Sequence, residues 1–159
     1  MRKKLIIGSI EVCDLPDIGI EQLQVRVDTG AKTSSLHVDN LEKFTRSGKP
    51  WIRFDIHPDI YDVDKIIGCE AALYDLRSIK SSNGQSEKRY VIKTLIRLGS
   101  QSWPIEITLT NRSDMSYLML LGREGMRDRV LVDPSKTFLL INSENDDAVA
   151  STNRENTDR

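Results

Sequence analysis

The sequence predicts an all-β protein, a barrel or a sandwich, on three observations: short segments that alternate apolar and polar residues, a few continuous apolar runs, and glycine- or asparagine-rich breaks between them. Alternation with a period of two puts every second side chain on one face, as a half-buried strand requires and a helix does not. Leu23, Val25 and Val27 alternate with Gln24, Arg26 and Asp28, and Ile52, Phe54 and Ile56 repeat the pattern. Trp103, Ile105, Ile107 and Leu109 give the clearest case, and Pro104, which has no N–H to donate, predicts that this strand begins at a sheet edge. The runs Tyr117 to Leu121 and Phe138 to Ile141 predict strands buried on both faces. Breaks fall at 46–50, 81–84, 98–101 and 111–114. A single short helix is predicted from Arg123 to Arg129, weakened by Gly125.

With 159 residues and 18.1 kDa, the chain has room for one real core. We read residues 1–142 as one domain and the polar stretch 143–159 as a disordered tail, because it holds too little apolar surface to offset its ordering entropy. Lys and Arg total 23 against 24 Asp and Glu, so no overall basic field argues for nucleic acid or an anionic membrane. Met1 to Ile10 is basic, then apolar, and reads as a first strand rather than an export signal. No apolar run approaches the ~20 residues that span a bilayer. Cys13 and Cys69 are too few for a disulfide framework and predict small buried hydrophobes in a reducing cytoplasm.

The chemistry centres on Asp28. A strand ending in Asp28-Thr-Gly30 presents a carboxylate at a sharp turn, where Gly30 lets the backbone bend and approach a substrate. Thr29 can lock the loop through its hydroxyl, and Ala31 is small enough to sit beneath it. Downstream, Met119-Leu-Leu-Gly-Arg123 is an apolar run closed by glycine. Val27-Asp-Thr-Gly-Ala31 and Leu120-Leu-Gly-Arg123 together resemble the catalytic loop and the supporting element of retropepsins. The similarity extends through the stretch from Val27 to His37, Ser81 to Gly84, Arg89 to Ile92, Trp103 to Arg112 and Val132-Asp-Pro134. These resemble the RimB-like family labelled ATP-dependent zinc protease and also described as retropepsin-like.

That resemblance implies a closed six-stranded acid-protease barrel, with Leu121, Gly122 and Arg123 as structural support. It implies an aspartic endopeptidase in which Asp28, Thr29 and Gly30 form half of a homodimeric site, since one carboxylate needs a second to share a proton. Asn83-Gly84 signals a two-residue hairpin turn, with Ser82 opposite Gln85 and Lys80 opposite Glu87. This hairpin is read as a flap, against the alternative of a plain surface hairpin. Ala31, Lys32, His37, Ser82, Asn83, Gly84 and Arg89 are the candidate substrate contacts. Lys32 and Arg89 would favour an acidic peptide, and RimB-like relatives accompany enzymes that add glutamates to a ribosomal protein.

No cofactor is expected. Zinc stays open as an alternative, because His37, His57, Cys13 and Cys69 could converge in space, although no His-Glu-x-x-His helix is present. No phosphate-binding glycine loop supports ATP. A barrel that only binds peptides or a partner protein is the third reading. Arg123 is expected to be an ion-pair partner; Glu70, Asp75, Glu106 and Asp133 are expected to have structural or surface roles.

Overall fold

A computed structural model describes residues 3–58, 64–80, 83–111 and 116–141. The region 143–159 and the proposed contact Ser82 lie outside the described residues. In chain order the strands are β1 (Leu5–Ile7), β2 (Ile10–Leu15), β3 (Ile20–Asp28), β4 (Ser34–His37), β5 (Asp39–Arg46) and β6 (Lys49–Ile56). They continue as β7 (Ile67–Ala72), β8 (Asp75–Lys80), β9 (Ser86–Leu98), β10 (Gln101–Thr110), β11 (Met119–Gly122) and β12 (Val130–Val132). There is also a 3-10 turn, Pro16–Ile18, and a four-residue helix, α1 (Arg123–Met126), and residues 139–141 are helical.

Six strands close into a ring in the order β10-β4-β11-β3-β2-β9, with β9 pairing back to β10; β8 extends the sheet from β9. The six-stranded barrel anticipated above is therefore present. Strands β5, β6 and β7 form a separate three-stranded sheet, and β1 pairs with β12 in parallel. The alternating residues point inward as the period of two demands. Leu23 and Val25 of β3, Ile52, Phe54 and Ile56 of β6, and Ile105, Ile107 and Leu109 of β10 are all buried in one core. Each fully buried side chain of this kind contributes roughly 1.5–3 kcal/mol.

Pro104 pairs with Leu95 of β9, whereas the pairing of β10 with β4 begins only at Ile107. The second edge of β10 is thus open where the proline sits, as its missing donor requires. The predicted turns at Ser47-Gly48 and Gly99 take positive φ, at 54°, 77° and 59°.

Four expectations need correction. Phe138–Ile141 is not a strand: Phe138 adopts a φ of 53°, and the carboxylate of the buried Glu11 accepts the N–H groups of Leu139 at 2.9 Å and Leu140 at 3.3 Å. Glu11 also accepts the N–H of Gly8 at 2.7 Å, and because residues 139–141 turn helical, its carboxylate takes first-turn N–H groups that have no partner within the helix. The run at Tyr117 forms strand only from Met119, and the helix stops at Met126 rather than Arg129. The hairpin register differs by one residue: Lys80 lies opposite Ser86, and Glu87 opposite Ile79. The connection is longer than two residues, and Asn83 accepts the Gln85 N–H at 3.1 Å. A one-residue slip exchanges the two faces of a strand, so the side chains facing each wall had to be found from the structure.

Candidate functional site

The site is built where β11 lies between β3 and β4. Val25, Val27 and Asp28 of β3 pair in parallel with Met119, Leu121 and Gly122 of β11, while Leu120 and Met119 pair antiparallel with Ser35 and Leu36 of β4. The two motifs that stand far apart in sequence are therefore neighbours, with Gly122 directly beside Asp28.

Asp28 is half-buried at the end of β3, and its Oδ1 accepts the Gly30 N–H at 3.0 Å. The Ala31 N–H donates to the Asp28 carbonyl at 3.2 Å, which closes the turn. Beyond it, the N–H groups of Arg123 and Glu124 donate to the carbonyls of Ala31 at 2.9 Å and Lys32 at 3.1 Å. The Arg123 guanidinium reaches the Gly30 carbonyl at 3.2 Å. The expected ion-pair role of Arg123 is thus replaced by hydrogen bonds to the loop it follows. Thr29 and Gly30 are exposed.

Gly122 has no room for a side chain, since a Cβ there would stand 2.5 Å from the Thr33 carbonyl carbon. Its N–H donates to the hydroxyl of Ser34, a buried residue, at 3.0 Å. Thr108 holds the Ser34 carbonyl through its own hydroxyl at 3.1 Å. Gly125 packs against the same serine, where a Cβ would lie 3.1 Å from Ser34 Oγ, and its carbonyl accepts the Trp103 indole N–H at 2.8 Å. Ser34 and Gly125 were missed as site residues. Only the run of small residues after Asp28 hinted at the first, and the second reads in sequence as a helix breaker.

A groove of about 900 Å³ begins at Gly30, so the Asp28 carboxylate sits at its margin. Ala31 and Lys32 line it from the loop, Pro104 and Ile105 from β10, and Arg77 to Lys80 with Arg89 from the β8–β9 hairpin. Among the described residues, five cationic side chains line it, Lys32, Arg77, Lys80, Arg89 and Lys93, against two anionic ones, Glu106 and Glu124. Lys32 and Arg89 were anticipated; Arg77, Lys93 and Glu106 were not placed there, because the strand at Asp75–Lys80 had not been read. His37, Asn83 and Gly84 do not line the groove. Of the four acidic residues assigned structural or surface roles, Asp75 and Glu106 both pair with Arg77, Glu70 pairs with Arg46, and Asp133 accepts hydrogen bonds from Ser135. The Arg77 guanidinium and the Leu76 N–H hold the Asp75 carboxyl below the usual carboxylate range.

The histidines do converge, on Asp39: His57 Nε2 lies 3.3 Å and His37 Nε2 3.8 Å from its two oxygens. The cysteines do not join them. Cys13 packs its sulfur 3.9 Å from that of Met119 in the core, and burial pushes its thiol up to about 12 and that of Cys69 to about 11. Thiols held protonated are poor zinc ligands. Among the described residues no group of three or more His, Cys, Asp or Glu side chains is arranged to hold a metal ion. Among the described residues no helix is long and apolar enough to cross a membrane.

A closed barrel in which a strand ends in Asp-Thr-Gly beside an apolar strand ending in glycine defines the retropepsin-like class. The comparisons agree. The RimB-like family, described as "Retropepsin-like aspartic endopeptidase RimB", matches residues 6–143, and the chain belongs to that family. It is 52% identical over 137 residues to a Shewanella pealeana protein named "Probable alpha-L-glutamate ligase", a match covering 86% of this chain and 30% of that protein. A Desulfotalea psychrophila protein of the same name is 47% identical over 132 residues, covering 83% of this chain and 28% of its own length. The chain therefore spans less than a third of the curated relatives it matches. A solved Legionella pneumophila structure, Lpg0085 (DUF785), of unknown function, superposes with a TM-score of 0.73 at 31% identity, covering 87% of this chain and 99% of that one.

Proposed function

We propose that this protein is an aspartic endopeptidase whose site is completed by Asp28 of a second copy and whose substrates are acidic peptides. The observation that carries the reading is Asp28 itself, fixed at a strand end by Gly30 and Gly122 at the margin of a groove of about 900 Å³. A lone carboxylate cannot both activate water and protonate the carbonyl oxygen. Two held together share one proton, and each then takes one of these tasks. A two-fold dimer supplies the second group from the same residue, and the exposure of Thr29 and Gly30 leaves the loop open to such a partner.

The β8–β9 hairpin would act as the flap, since it walls the groove from the side facing the loop. The five cations favour acidic side chains. The curated relatives' name fits this choice, because a ligase that joins glutamates makes acidic peptides.

Cleavage of a peptide library rich in glutamate, by wild type and by Asp28→Asn, tests the proposal. Loss of about a thousandfold in rate is expected for the amide variant, with or without a chelator and with an unchanged melting temperature. Sedimentation should place the active species at twice the chain mass. Full turnover by Asp28→Asn, or by a strictly monomeric protein, would refute the aspartic mechanism.

A further inference from the structure

The groove wall carries an arrangement that a solvated face does not explain. Arg77 of β8 lies directly opposite Arg89 of β9, and like charges at facing positions of an antiparallel pair repel. The two are compensated unequally. Arg77 Nε donates to Asp75 Oδ2 at 2.7 Å, and its Nη2 pairs with Glu106, which reaches across β9 from β10. Arg89 is only 7% exposed, yet its one carboxylate partner is Glu87 at 3.4 Å, and its buried Nε has no hydrogen-bond partner. A guanidinium nitrogen withdrawn from water and left unbonded is costly, and an incoming carboxylate would relieve that cost. Glu106 also faces Lys93 across the β9–β10 pair, so its carboxylate lies among the very cations that line the groove.

We propose that Glu106 is a built-in competitor for the acidic side chain of the substrate: it holds Arg77 until a substrate carboxylate replaces it, while Arg89, whose Nε has no partner, is the less fully compensated position. This rests on the acidic-peptide reading given above and adds a specificity-determining residue to it. A peptide bringing a single carboxylate meets Arg89, paired only with Glu87 at 3.4 Å and with an unbonded Nε, but must displace Glu106 to reach Arg77, exchanging one ion pair for another. A peptide with successive acidic residues serves both positions. The groove therefore selects runs of acid over isolated ones.

The test uses the full chain carrying Asp28→Asn, so that peptide is bound without being cut. Fluorescence anisotropy at low salt follows a labelled hexaglutamate peptide and a labelled hexaserine peptide. Adding Glu106→Gln should tighten hexaglutamate binding about fivefold and leave hexaserine unaffected. Adding Arg77→Gln as well should abolish the gain, because the position that Glu106 guards is then missing. If Glu106→Gln lowers the melting temperature, Glu106→Asp, whose shorter side chain reaches less far across β9, should show the same tightening in smaller measure. Equal hexaglutamate affinity with and without Glu106 overturns the competitor role and leaves the acidic-peptide reading standing. Failure of every variant and of the parent to bind hexaglutamate overturns both.

Discussion

The two walls of the groove are built on opposite principles. The wall that carries Asp28 is fixed by main chain and small residues: Gly122 beside Asp28, Ser34 beneath Gly122, and backbone hydrogen bonds from Arg123 and Glu124 into the loop. The facing wall, β8 with the first half of β9, is held by charge: Arg77 with Asp75 and Glu106, Arg89 with Glu87. Close packing has one solution and resists displacement, whereas half-exposed ion pairs are weak, screened by salt and easily exchanged. The first wall suits a group that must not move, and the second suits a surface that must trade partners.

Substitutions can break this contrast in order of effect. Gly122→Ala should be the most damaging, since its Cβ would meet backbone that cannot turn aside; a cost of about 3 kcal/mol, seen as a fall of roughly 6–12 °C in melting temperature, is expected. Ser34→Ala leaves the buried Gly122 N–H without its acceptor and should cost about 2 kcal/mol, read by denaturant titration. Either change, although it leaves the Asp28 side chain itself unaltered, should also lower any Asp28-dependent activity. On the charged wall, Arg77→Gln should shift stability least of the three, and high salt should erase the difference. Because Arg77 depresses the Asp75 carboxyl, their contact stabilises the fold at pH above the ordinary carboxylate range and is lost as pH falls through the depressed value. Arg77→Gln should therefore flatten the acid limb of the stability curve, and an unaltered limb would show that the ion pair carries no stability.

The packed wall was legible in the sequence and the charged wall was not, for a physical reason. Asp28-Thr-Gly30 and Leu121-Gly122 are local patterns: Gly122 is required by close backbone approach and a Cβ on Gly30 would crowd the Asp28 carboxylate, so residue type alone points to them. The alternation of Trp103 to Leu109 likewise survives any detail of pairing. Arg77 and Glu106 gain their meaning only from sitting two strands apart in one sheet, a relation that depends on register. An Asn83-Gly84 turn placed at two residues put that register off by one, and with it the side chains facing the groove. Phe138–Ile141 failed differently: its apolar run was real, but Glu11 claims the N–H groups of Leu139 and Leu140 from far along the chain.

The insertion of β11 between β3 and β4 also sets when the loop can exist. Ser34 and Gly122, which lock it, are 88 residues apart, and such a distant closure forms late compared with local hairpins. During synthesis the ribosome must release the chain past Gly122 before Asp28 has its support. Whatever chemistry the acid performs is withheld from the half-made polypeptide on which it is carried.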